Sequence, residues 1–93
     1  MIAGDRRFTR DAAARAFGAT IRNMRTARGL SQEVLAERSG FDRTYLSLLE
    51  RGRRTPTITA IFRLADALDV PADSMVSDAY ARIRVLDLAL PSP

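Results

Sequence analysis

A chain of 93 residues, 46% hydrophobic and 28% charged, has the size of one small domain, near the lower limit for a core built without staples. It contains no cysteine and no histidine, and all 15 basic residues are arginine. Disulfides, thiolate metal sites, thiol or imidazole catalysis, Schiff bases and a lysine-dependent phosphate loop are thereby excluded. What remains is a binding module, not an enzyme, with no residue set that calls for a metal or a cofactor.

The formal charge of +4 is unevenly spread, at +5 over residues 1–30, +1 over 31–54 and −2 over 55–93. Arginine donates two parallel hydrogen bonds from a planar fork, so the basic half suits phosphates and other polyanions. An aromatic content of 6% is too low for a platform that stacks single-stranded bases. No N-terminal apolar run has signal-peptide length, and none reaches the roughly 18 residues of a membrane span. A soluble cytoplasmic protein without membrane association is expected.

In chain order, residues 1–10 read as a flexible basic arm carrying Arg6, Arg7 and Arg10. A helix is predicted from about Asp11 to Arg28, with Ala13, Phe17, Ile21 and Met24 as its apolar stripe and Gly29 as its stop. Ser31 then caps a short helix over about 31–39, with Glu33 in the first turn, a Leu30–Leu35 staple and Gly40 at its end. Asp42 caps the next helix, over about 42–51, with a Phe41–Leu46 staple; Leu46 and Leu49 face inward and Gly52 ends it. After a basic loop at 53–56, Thr57 caps a fourth helix whose apolar face is Ile58, Ile61, Leu64, Ala65 and Leu68. Pro71 turns the chain into a short helix around Asp73–Val76. In the tail, 77–93, Tyr80, Ile83, Leu86 and Leu90 fit a helical stripe, while Leu86, Leu88 and Leu90 also fit a strand alternation; helix is the reading adopted.

Two short helices joined by a tight turn at Gly40 form a helix-turn-helix pattern, whose second helix enters the DNA major groove in proteins that use it so. The stretch RTARGLSQEVLAERSGFDRTYLSLLERGRRTPTITAIFRLADALDVPADSM, Arg25 to Met75, resembles the Cro/phage-repressor (XRE-type) helix-turn-helix regulators. Asp42–Tyr45 is also similar to controller proteins of restriction–modification systems. The resemblance implies an all-α, compact five-helix, lambda-repressor-like DNA-binding domain over about 11–76. The function it implies is sequence-specific transcription regulation on double-stranded DNA, as a homodimer on a palindrome.

Carried over residue by residue, the resemblance gives Gln32 a phosphate contact that also braces the recognition helix. Arg43 and Thr44 are the first exposed positions of that helix. Arg43 reads guanine O6 and N7 or holds a phosphate, and Thr44 meets a thymine methyl or a phosphate. Ser47 lies one turn on; Tyr45 and Leu48 either touch DNA or pack locally. Arg51, Arg53 and Arg54 clamp phosphates or form a solvated run. A carboxylate at Glu50 suits none of this, and the family pairs it with an arginine of helix 1, here Arg25. The tail beyond residue 76 has no family motif. Tyr80, Ile83, Leu86 and Leu90 are read as its dimerisation stripe, against the alternative that the tail folds back on its own domain. RNA polymerase or a cognate protein is a further expected partner. The competing function is an antitoxin or adaptor whose Asp66, Asp69, Asp73 and Asp78 face a basic protein.

Overall fold

The computed structural model describes residues 6–89, with side chains described over 7–85. A 3-10 turn, Arg6–Phe8, leads into five helices: α1 Arg10–Ala27, α2 Gln32–Ser39, α3 Arg43–Glu50, α4 Ile58–Leu68 and α5 Ala72–Ala89. No strand occurs among the described residues. α1 and α5, each of 18 residues, pack along one another, and the three shorter helices close the other side of the core.

Local chemistry sets the helix ends. The hydroxyls of Thr9, Ser31 and Thr57 accept from the backbone N–H three residues on, at Ala12, Val34 and Ala60, each at 3.0–3.1 Å. Asp42 holds the capping position of α3 without a side-chain cap bond. α2 ends at Gly40 with φ 74°, where the left-handed turn lets the Phe41 N–H reach the Ala36 carbonyl at 2.8 Å. Gly52 turns the chain after α3 with φ 70°, and a Cβ there would also meet the Arg15 Cα at 2.9 Å, so a side chain is excluded twice.

The core is one cluster. Ile21, Leu35, Leu46, Leu49, Leu64, Leu68 and Met75 are each at most 1% exposed, and burial of a side chain of this size contributes about 1.5–3 kcal/mol. Leu30 and Phe41 are partly buried and pack against this cluster.

Several expectations are corrected. The arm does not extend to residue 10: Arg10 opens α1 because Thr9 caps it, and the Phe8 ring stacks on Tyr80 at 5.3 Å and 12°. Residues 1–5 lie outside the described residues. Along α1, Ala13 is exposed while Ala14, Ala16 and Thr20 are buried. Ile58, placed on the inner face of α4, is 61% exposed. Residues 90–93 lie outside the described residues. The short helix at 73–76 and the tail as far as Ala89 are one helix, since nothing between Ala72 and Ala89 breaks it. Its inward line runs Met75, Ala79, Ile83 at four-residue spacing, so α5 lies against its own domain.

A polar latch fixes that docking. The Thr20 hydroxyl donates to Asp78 Oδ2 at 2.6 Å, and Arg82 Nε donates to the same oxygen at 2.8 Å. These two donors, Thr20 first, hold the Asp78 carboxyl below its usual pKa against the opposing effect of burial.

Candidate nucleic-acid interface

α3 is an eight-residue helix with two faces. Leu46 and Leu49 enter the core, and Thr44, Ser47, Leu48 and Arg51 occupy the opposite side with Arg43 at its flank. Arg43, Thr44 and Arg51 are exposed, whereas Ser47 and Leu48 are half-buried. Tyr45 is half-buried, its ring tilted against Phe41 at 5.0 Å. Arg53 and Arg54 are exposed on the loop that follows.

The C-terminal end of α3 is held by a charged network. Arg25 Nε donates to Glu50 Oε2 at 2.6 Å and Nη2 donates to Oε1 at 2.8 Å, a bidentate pair with side chains only 11% and 3% exposed. The remaining terminal nitrogen, Nη1, donates to the Leu30 carbonyl at 2.8 Å. Gln32 Nε2 adds a fourth bond, to Glu50 Oε1 at 3.1 Å. The bonds to Glu50 are the main reason the Arg25 pKa lies above its ordinary value. No buried side-chain polar atom among the described residues lacks a partner.

This network is possible because α1 crosses close to α3. Gly18 sits at the crossing, its α-carbon turned toward the Leu49 and Glu50 carbonyls. Arg25 lies seven residues on, two turns along the same face of α1, where it meets the Glu50 carboxylate. The helix that buries the backbone of Glu50 therefore also neutralises its side chain.

The N-terminal end of α3 has a second tie. Arg43 Nε lies 2.7 Å from Glu33 Oε1, and both side chains are about 60% exposed. Glu33 is held below its usual pKa first by its own backbone N–H and next by Arg43. Gln32 and Glu33 are neighbours in the first turn of α2, and they reach opposite ends of α3.

The structure thus brings together Arg25, Glu50 and Gln32, and leaves Arg43, Thr44, Arg51, Arg53 and Arg54 on the surface. Gln32 is expected at a phosphate; here one amide hydrogen is engaged with Glu50. Sequence reasoning assigned Glu33 only to the helix dipole and missed its contact with Arg43. Opposite charges at 33 and 43 were the available signal, but pairing across a turn needs the angle between helices. Arg63, whose guanidinium lies 5.6 Å from the Phe41 ring centre, was missed for the same reason.

Of the dimerisation stripe, Ile83 packs against the core and Tyr80 stays half-exposed on the Phe8 stack. The Leu86 side chain and Leu90 lie outside the described residues. Among the described residues, an apolar groove lies between α4 and α5, lined by Ile58, Ile61, Phe62, Val76 and Tyr80, with Asp73 on its wall.

A family model described as a helix-turn-helix domain matches residues 16–76, a span that includes α2, the turn, α3 and the Arg25–Glu50 pair. The chain belongs to the helix-turn-helix family of transcriptional regulators. It is 45% identical over 60 residues to the regulator y4dJ of Sinorhizobium fredii, covering 64% of this chain and 78% of that one. It spans 47% of the length of two matched regulators of Mycobacterium tuberculosis. Among solved structures, it is similar to the restriction–modification controller protein C.AhdI of Aeromonas hydrophila. That likeness has TM-score 0.67 and 45% identity, covering 69% of this chain and 97% of the other. The controller C.Esp1396I, solved as a tetramer on its natural 35 base-pair operator, matches with TM-score 0.70 and 30% identity, over 76% and 93% of the two chains. No helix among the described residues is long and apolar enough to cross a membrane.

Proposed function

We propose that this helix-turn-helix regulator reads a short palindromic operator in double-stranded DNA as a dimer in the cytoplasm. α3 lies in the major groove, with the arginines of 51–54 on flanking phosphates. The observation that carries the reading is the placement of Arg43: an exposed guanidinium at the first residue of a helix whose other end is fixed by a buried ion pair. N-terminal residues of such a helix meet base edges, and an arginine there donates to guanine O6 and N7. Thr44 and Ser47 border the same groove. The operator complex of C.Esp1396I supports the partner class.

The apolar groove of α4 and α5, which shares Tyr80 with the tail stripe, is the face for a second copy. Ile58, Phe62, Val76 and Tyr80, each 48–61% exposed, form an apolar face of the kind that marks interfaces. A symmetric pair sets two α3 helices about 34–36 Å apart, one DNA turn.

The two arginine roles separate by mutation. Arg43→Ala is expected to weaken operator binding by about 1–3 kcal/mol and to relax preference at one base position in each half-site. Arg53→Ala is expected to weaken all sequences alike and to reduce the salt slope by about one. Fluorescence anisotropy on matched and mismatched duplexes over a salt series checks both. Equal losses on site and non-site DNA for the two variants would contradict base reading by Arg43.

A further inference from the structure

Glu33 has a charge that the proposed interface does not need. It stands on the first turn of α2, on the side that would face DNA, where a carboxylate repels phosphate. It contributes little to the fold, because a pair this exposed is screened by water and salt. Its contact with Arg43 is nevertheless short, at 2.7 Å, and it is made through Nε. Engagement at Nε leaves terminal amino hydrogens of the guanidinium for the two acceptors of guanine. It also restrains a long side chain that otherwise samples many rotamers and finds phosphates as readily as bases.

We propose that Glu33 is a positioning residue for sequence discrimination: it holds Arg43 for end-on reading of guanine while its charge disfavours non-specific docking. The inference rests on the reading of Arg43 as a base-contacting residue. Glu33 is well placed for this task. Gln32, its neighbour, is tied to Glu50, so the turn that carries Glu33 is fixed relative to the far end of α3. Glu33 and Arg43 therefore meet across two braced helices. Specificity is a difference between two affinities, and a repulsive group aimed at the wrong complex raises it as effectively as a new attraction aimed at the right one.

The test is selection from one randomised duplex pool with wild type, Glu33→Ala, Glu33→Gln, Arg43→Ala and the Glu33→Ala/Arg43→Ala double variant. Non-specific affinity is measured separately on an alternating dA–dT duplex, which lacks the paired O6 and N7 acceptors of guanine, and folding by thermal melting. Glu33→Ala is expected to melt as wild type does, and to lose about tenfold of the preference at the base position that Arg43→Ala also relaxes. Its affinity for the alternating duplex is expected to rise, with a steeper salt dependence. Glu33→Gln keeps the size of the side chain but not the charge that makes the ion pair, and is expected to lose base preference as Glu33→Ala does, while gaining non-specific affinity. In the Arg43→Ala background, Glu33→Ala is expected to leave the base preferences unchanged.

Unchanged preference in Glu33→Ala overturns the inference while leaving Arg43 as the reader. So does an equal gain of affinity for all sequences, which would make Glu33 a charge brake alone. A further loss of preference in the double variant overturns it as well, since Glu33 would then act without Arg43. If Arg43→Ala itself alters no base preference, the parent reading fails and this inference fails with it.

Discussion

Glu50→Ala is expected to destabilise the fold by about 3–5 kcal/mol, the range for leaving one charge of a buried pair without its partner. The Arg25 guanidinium would keep its bond to the Leu30 carbonyl but lose both carboxylate contacts, and Gln32 would lose its acceptor. In a domain of this size each kcal/mol moves the melting temperature by roughly 4–8 °C, so the transition should fall by more than about 10 °C. Glu50→Gln is expected to fall between the two, since an amide oxygen still accepts from Arg25 but carries no charge. Replacing Arg25 and Glu50 together by apolar residues should give a chain more stable than either single variant, because the unpaired charge is removed. Thermal denaturation of the set checks this. A Glu50→Gln protein that unfolds no more easily than wild type would show that the pair does not brace the helices.

Gly18→Ala is the second large effect. In an exposed helix this change adds stability of about 1 kcal/mol, because alanine favours helix and glycine does not. Here the new Cβ would overlap the Leu49 carbonyl oxygen and lie 2.7 Å from the Glu50 oxygen. Both atoms are backbone at the end of α3, so no side chain can turn aside; α1 and α3 must separate. A loss of about 3 kcal/mol is expected, at the upper end of the cost of overpacking. Because the crossing also sets Arg25 on Glu50, the variant should lose operator affinity beyond what its lower folded fraction explains. Urea denaturation followed by binding under fully native conditions separates the two losses. A midpoint equal to or above that of wild type would mean the helices approach less closely than described.

How far the sequence discloses this molecule depends on the range of the interactions involved. Ser31, Gly40, Thr57 and the Leu30–Leu35 spacing are local signals, and they locate α2 and the start of α4 within a residue. Arg25 and Glu50 are 25 residues apart, and only the resemblance to a family joins them in advance. The Thr20–Asp78 bond spans 58 residues and has no sequence signal. A threonine on an apolar stripe reads as an interruption until the acceptor that satisfies it is known.

The tail shows a different difficulty. Two apolar lines run along α5, one through Met75, Ala79 and Ile83 and one through Val76 and Tyr80. Periodicity identifies a helix but does not say which line the domain covers. α1 covers the first, and the second is left to the groove with α4. The same ambiguity explains why Ile58, on the outer side of α4, reads from its spacing as an inner-face residue.

The central claim is that α3 reads sequence and that two copies do so together. In-vitro selection of the wild-type protein on random duplex DNA, at about physiological salt to suppress non-specific binding, tests it most directly. The account predicts an enriched palindrome, with a guanine in each half-site that Arg43→Ala relaxes and half-site centres about one helical turn apart. No enrichment by a folded protein would contradict sequence reading by α3, and a lone half-site would contradict the dimer.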